Sequence, residues 1–204
     1  MTPDVFAALL LFAFVTSITP GPNNLMLMAS GVNFGFARTV PHMLGIGAGF
    51  LSLLLGVGFG LGAVLAAWPP LHMALKAAGG VYLLYLAWRI AMARTMAPAG
   101  ASDAQGEGRA RPMSFLEAAA FQWVNPKAWV MAVTAMAVYA SPQSPFVSVV
   151  VVAAAFALVN LPCVSSWAGF GVALRGFLAD PARLKWFNIA MGLSLVASLW
   201  PMLA

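Results

Sequence analysis

The sequence predicts an all-α integral membrane fold: six transmembrane helices arranged as two inverted three-helix repeats, with the first and fourth helices broken. Three observations lead there. Of 204 residues, 62% are hydrophobic and 7% charged, against about 25% charged in an ordinary soluble domain. The apolar residues form runs long enough to span hydrocarbon. Two of those runs are interrupted by Pro, Gly and Asn. A water-soluble fold of this size could not cover its surface with so few charges.

The segments lie at about 5–35, 41–67, 71–93, 114–140, 146–173 and 184–204. Thr2-Pro3-Asp4 suits a helix start: a capping hydroxyl, a proline in the first position and an acid in the first turn. With Asp4 where a basic residue would be needed, no leader peptide is expected. Turn and charge signals separate the segments, among them Trp68-Pro69-Pro70, Ser141-Pro142 and Asp180-Pro181. Stretch 95–113 is small, polar and rich in Gly and Pro, and reads as a linker. It divides the chain into a first repeat, 1–94, and a second, 114–204. Because each repeat has three segments, the second enters the membrane from the opposite side, as in many secondary transporters. The halves echo each other in Gly21-Pro22-Asn23 and Asn125-Pro126-Lys127, and in Leu75-Lys76 and Leu184-Lys185.

Charge sets the orientation. Arg38, Arg89, Arg94, Arg109, Arg111, Arg175, Arg183 and Lys185 fall on one side of the six crossings, and only Lys76 on the other. Basic loops stay cytoplasmic, so the linker is expected inside and both termini in the periplasm. The net charge of +5 follows from topology. No basic stripe or nucleic-acid motif accompanies it. His42 and His72 read as interfacial residues at helix ends. They and the single Cys163 have no metal-ligand spacing, and no cofactor is expected.

The breaks carry the functional expectation. In lipid, non-helical backbone is tolerated only where it is buried in protein or lines a wet cavity. Pro20 and Pro22 lack N–H donors, and Gly21 opens conformations closed to other residues. Residues 19–24 should therefore end one half-helix and start another. Free N–H groups of Asn23, Asn24 and Leu25 should follow, for the Asn side chains to cap or for a ligand to bind. In Asn125-Pro126-Lys127 the same logic gives an N-cap, a first helical proline and an ammonium. Lys127 lies about 12 residues, roughly 18 Å, into its segment, near mid-membrane, where an ionisable group is a functional candidate. Two half-helix N-termini beside an ammonium suit a carboxylate. Glu117 fits either a capping box with Ser114 or a proton shuttle. Asn160, Pro162, Ser165 and Ser166 form a polar patch that either lines the cavity or joins helices. The glycines from Gly45 to Gly62 mark a close-packing second segment. Enzyme motifs of the HExxH, GxSxG and phosphate-loop kinds are absent from the sequence.

Thr19-Pro20-Gly21-Pro22-Asn23-Asn24, with Asn125-Pro126-Lys127-Ala128-Trp129 and the 80–88 stretch GVYLLYLAW, resembles the lysine-exporter (LysE) superfamily, especially its RhtB-type branch. The resemblance covers nearly the whole chain. It implies an inner-membrane exporter of small amino acids or derivatives, of the homoserine/threonine or cysteine/O-acetylserine type, driven by proton antiport. It places the transport site at Pro20, Gly21, Pro22, Asn23 and Asn24 and at Asn125, Pro126 and Lys127. Gln122, in Gln122-Trp123-Val124-Asn125, leans toward the cysteine/O-acetylserine type. With Asn160 these make the candidate substrate site. The expected partners are a small amino acid and the lipid bilayer, with a homodimer left open and no nucleic acid. A passive channel and a non-transporting assembly or sensory protein are the alternatives.

Overall fold

The computed structural model describes residues 1–97 and 111–200. Every regular element among them is helical. The middle of the expected linker, with Arg109, and the last four residues of the sixth segment lie outside the described residues.

The first segment is two helices, α1 (Pro3–Ile18) and α2 (Pro22–Phe34), bent by 55° at the expected break. Gly35, at φ 85°, ends α2 and launches α3 (Phe36–Gly56). A π-helical turn (Val57–Leu61) follows, where Gly60 takes φ 112°, and then the short α4 (Gly62–Ala67). α5 is Pro69–Ala91. The fourth segment is broken as expected, into α6 (Phe115–Gln122) and α7 (Pro126–Tyr139). α8 (Pro145–Ala173) runs through Pro162, and α9 (Pro181–Ala197) completes the described chain.

Local chemistry places these boundaries. Proline opens α1, α2, α5, α7, α8 and α9, where its missing N–H costs nothing. Thr2, Asn125 and Asp180 cap their helices through side-chain oxygens. Ser114 and Glu117 form both bonds of a capping box, and Glu117 also holds Arg111 through two 2.7 Å bonds. The structural reading of Glu117 is the one seen.

Phe36–Val64 and Pro145–Ala173 are each long and apolar enough to cross a membrane, and the bent α1–α2 pair is a third candidate. α5, the α6–α7 pair and α9 occupy the other expected segments. Leu11, Leu116 and Leu158 are more than 60% exposed, as lipid-facing side chains must be.

Two cores form inside. One joins α1, α3, α7 and α8 around Leu9, Phe50, Leu53, Ala132 and Phe156. The other joins α2, α3, α5, α6, α8 and α9 around Leu27, Ile46, Leu86, Phe121 and Leu195. Small residues let backbones touch. A Cβ at Gly31 would overlap the Ala168 carbonyl, and one at Gly171 the Met28 carbonyl, so α2 and α8 meet without side chains between them. Gly45 and Gly49 of α3 do the same against Phe115 and Ala119 of α6. The glycine-rich second segment is thus a packing helix at Gly45 and Gly49. It is not one at Gly47, which has open space, or at Gly60, which breaks the helix.

His42 departs from expectation. It is a buried residue of α3, 1% exposed, and neither ring nitrogen has a hydrogen-bond partner. Position 42 lies six residues inside the helix because α3 starts at Phe36, earlier than the expected segment.

Gly171→Ala should destabilise the fold by about 1–3 kcal/mol through overpacking. Gly169→Ala, on the same helix with nothing within 4 Å of the added carbon, should be nearly neutral. Thermal unfolding in detergent micelles measures both.

Candidate functional site

The end of α1 sets the local problem. The last carbonyls of a helix have no partner within it, and buried carbonyls must find one. Here Pro20 and Pro22 supply no N–H. Partners arrive instead from several elements. The Thr19 N–H reaches the Val15 carbonyl at 3.2 Å, and its hydroxyl reaches that of Thr16 at 3.0 Å. Asn24 Nδ2 donates to the carbonyls of Ser17 and Thr19, both at 2.8 Å. Trp167 Nε1, from α8, donates to the Ile18 carbonyl at 2.9 Å.

Lys127 arrives from α7. Its Nζ donates to the Thr19 carbonyl at 2.8 Å, to Thr19 Oγ1 at 3.0 Å and more distantly to the Pro20 carbonyl at 3.5 Å. The ammonium therefore sits on the C-terminal, negative end of the α1 dipole. The sequence led us to expect only positive helix ends around it. Gly21 makes the reach possible: a Cβ there would lie 2.8 Å from Lys127 Cδ and 3.1 Å from Nζ. Its φ of −175° is extended backbone open to any residue, so space and not conformation selects glycine.

The α2 N-terminus has no side-chain cap. The Leu25 N–H bonds the Gly21 carbonyl at 3.0 Å, and the N–H groups of Asn23 and Asn24 have no partner among the described residues. Of the two expectations for these groups, capping by the asparagine side chains is not the one seen. Asn24 turns back to α1, and Asn23 pairs with Gln122 of α6 through two amide bonds of 2.8 and 3.1 Å. Asn125 Oδ1 accepts the Lys127 N–H at 3.1 Å.

These groups surround one cleft where the two cores meet. Gly21, Asn23, Asn24, Gln122, Asn125, Lys127 and Asn160 all line it. Pro20, Pro22 and Pro126 do not; they shape the breaks. Asn160 of α8 donates to Ser17 Oγ at 3.3 Å, and its Oδ1 is buried without a partner. Ser165 and Ser166 bond carbonyls of their own helix. Sequence reasoning missed Thr16 and Ser17, whose hydroxyls precede the break, and the apolar wall of Phe50, Met131 and Val164. The cleft therefore offers hydrogen-bond donors at the α2 N-terminus, an ammonium, and one unused carbonyl acceptor. Its cavity volume is about 30 Å³, room for roughly two waters.

Removing the Asn24 amide strands two carbonyl bonds. Asn24→Leu should cost about 2–4 kcal/mol, read as a lower thermal midpoint in micelles, whereas Asn24→Gln should recover part of the loss.

Residues 14–197 match the LysE type translocator family model. Proteins named cysteine/O-acetylserine efflux protein from Escherichia coli (strain K12) and Shigella sonnei (strain Ss046) are 34% identical to this chain over 155 residues. That match covers 74% of this chain and 73% of each of theirs. The protein of the same name from Shigella flexneri serotype 5b (strain 8401) is equally similar. No solved structure gives a significant match. The chain belongs to the LysE type translocator family, whose members are transporters and not enzymes.

Proposed function

We propose that this translocator exports small amino acids of the cysteine/O-acetylserine class from the cytoplasm, by alternating access and in exchange for protons. One observation carries the reading: the cleft presents unused donors at one helix end and an unused acceptor at Asn160. An amino acid is an anion and a cation on one carbon. Its carboxylate suits the N–H groups of Asn23 and Asn24 beside Lys127. Its ammonium suits Asn160 Oδ1. The names of the relatives favour cysteine and O-acetylserine over homoserine and threonine.

Transport follows from competition. Lys127 bridges the carbonyls of Thr19 and Pro20. A carboxylate at the α2 N-terminus draws the ammonium toward it and loosens the α1–α7 contact. The cleft is too small for a whole amino acid as it stands, so binding requires the two halves to separate.

Inverted repeats fit this motion. Exchanging the halves maps α1 on α6, α3 on α8 and α5 on α9. The packing of α3 on α6 then becomes that of α8 on α1, and α3–α8 and α5–α9 map onto themselves; all four pairs pack extensively. The extensive α2–α8 contact has a much smaller counterpart in α3–α7, so the repeats are not equivalent. Six spans with both termini periplasmic remain the arrangement we infer from the basic loops.

Gly21→Ala should push aside the flexible end of Lys127 without unfolding the chain. Proteoliposome export of L-cysteine or O-acetyl-L-serine should fall at least tenfold, while the thermal midpoint barely moves. Lys127→Met should weaken substrate binding about tenfold or more, the order of one charge-assisted hydrogen bond. Normal binding and export by a folded Lys127→Met protein would exclude the lysine from the site.

Orientation is tested separately. Ala101→Cys, in a Cys163→Ala background, should react with membrane-impermeant thiol reagent only in inverted vesicles. Labelling from outside intact cells would reverse the assignment.

A further inference from the structure

A second cavity opens beside α2. It is lined by Met26, Ser30 and Asn33 of α2, His42 of α3, Arg89 of α5, and Arg111. Its volume, about 60 Å³, is twice that of the central cleft. His42 is the anomaly in it. A neutral imidazole carries one N–H donor and one acceptor nitrogen, and both are buried here without a partner. Buried polar groups are nearly always satisfied, and the exceptions require an explanation.

The other polar groups around the cavity are already assigned, with one exception. Asn33 exchanges two amide bonds with Asn188 of α9, at 2.9 and 3.2 Å. Ser30 bonds Thr39, and Thr39 in turn bonds the Gly35 carbonyl. Arg111 is neutralised by Glu117. Arg89 touches the Arg111 carbonyl at 3.3 Å and the Tyr85 ring, and has no acid partner among the described residues. An unneutralised guanidinium and an unpartnered imidazole thus line one cavity.

Position connects this cavity to the cleft. Asn23, Met26, Ser30 and Asn33 recur at helical spacing on one face of α2. Asn23 lines the cleft; the other three line the second cavity. The Asn23–Gln122 amide pair lies on the cleft side, one helical turn from Met26. Arg89, in the last turn of α5, and Arg111 are among the basic residues that the charge bias places toward the cytoplasm.

We propose that this cavity is a second binding site for the exported amino acid, on the cytoplasmic side of the central cleft, in which Arg89 takes the carboxylate and His42 pairs with the amino end. The proposal rests on the export reading above. The substrate waits there until the Asn23–Gln122 pair opens, then moves along the α2 face to Lys127 and Asn160.

Equilibrium dialysis of purified protein in micelles with radiolabelled O-acetyl-L-serine, and separately L-cysteine, tests it by stoichiometry. Wild type should bind two molecules per chain. His42→Leu and Arg89→Gln should each bind one, Lys127→Met should bind one, and His42→Leu with Lys127→Met none. Two variants of the second site guard against a failure to fold, which circular dichroism reports. If His42 merely packs against water, His42→Leu shifts the thermal midpoint and leaves the stoichiometry unchanged. A single site in wild type, lost in Lys127→Met and kept in both His42→Leu and Arg89→Gln, overturns the second site and spares the export reading. Binding of neither amino acid to wild type overturns both.

Discussion

Satisfying the carbonyls at the end of α1 is the constraint on which the rest of the site depends. A break inside an apolar segment frees backbone groups that hydrocarbon cannot solvate. Two prolines at the break remove donors that a continuous helix would provide. The supply therefore has to come from side chains, and it comes from Asn24, Trp167 and Lys127. These belong to α2, α8 and α7, so the break cannot form unless all three are docked. Local disruption is thereby converted into tertiary specification. The three oxygens around Lys127 Nζ match the three N–H groups of an ammonium. The helix end provides the compensation that a buried acid would otherwise give.

The same logic extends along α2. Its two ends are tied to the second half of the chain by reciprocal amide pairs, Asn23 with Gln122 and Asn33 with Asn188. Between them, Gly31 lets α2 lie directly on α8. Amide pairs carry no net charge, so parting them leaves dipoles and not ions to be solvated. Water or a zwitterion can replace each lost bond in kind. The apolar cores on either side cannot be rearranged so cheaply, since each side chain there already fills its space. In the proposed transport cycle, polar seams are therefore where the halves part most cheaply.

Much of this was legible in the sequence because it is local. Proline, asparagine and glycine at 19–24 and 125–127 determine where helices stop and start whatever surrounds them. Ser114 and Glu117 specify a capping box three residues apart. Legibility fails where the partner is distant. Nothing near Lys127 in sequence points to the carbonyls of Thr19 and Pro20, more than 100 residues earlier. The α1 terminus was visible as a break, but only its following N-terminus was weighed as an electrostatic element. His42 was misplaced for a related reason: a break was assumed at 36–40, whereas Gly35 turns the chain in one residue and brings His42 inside. The Asn33–Asn188 pair had no local signature at all.

The proposed proton coupling then takes a particular form. Glu117, the acid nearest the membrane interior in sequence, is committed to Arg111 and to the Ser114 backbone, so using it as a carrier would dismantle a helix start. The titratable groups of the two cavities are Lys127 in one and His42, Arg89 and Arg111 in the other. Arginine does not release its proton under ordinary conditions. That leaves an amine and an imidazole, on elements from opposite halves of the chain. Any proton exchanged for substrate in this scheme has to visit one of them. Both bases lie at the places where an amino acid would be held, so substrate and proton compete for the same hydrogen-bonding positions. Antiport then needs no separate coupling site, because occupancy by one partner displaces the contacts that hold the other.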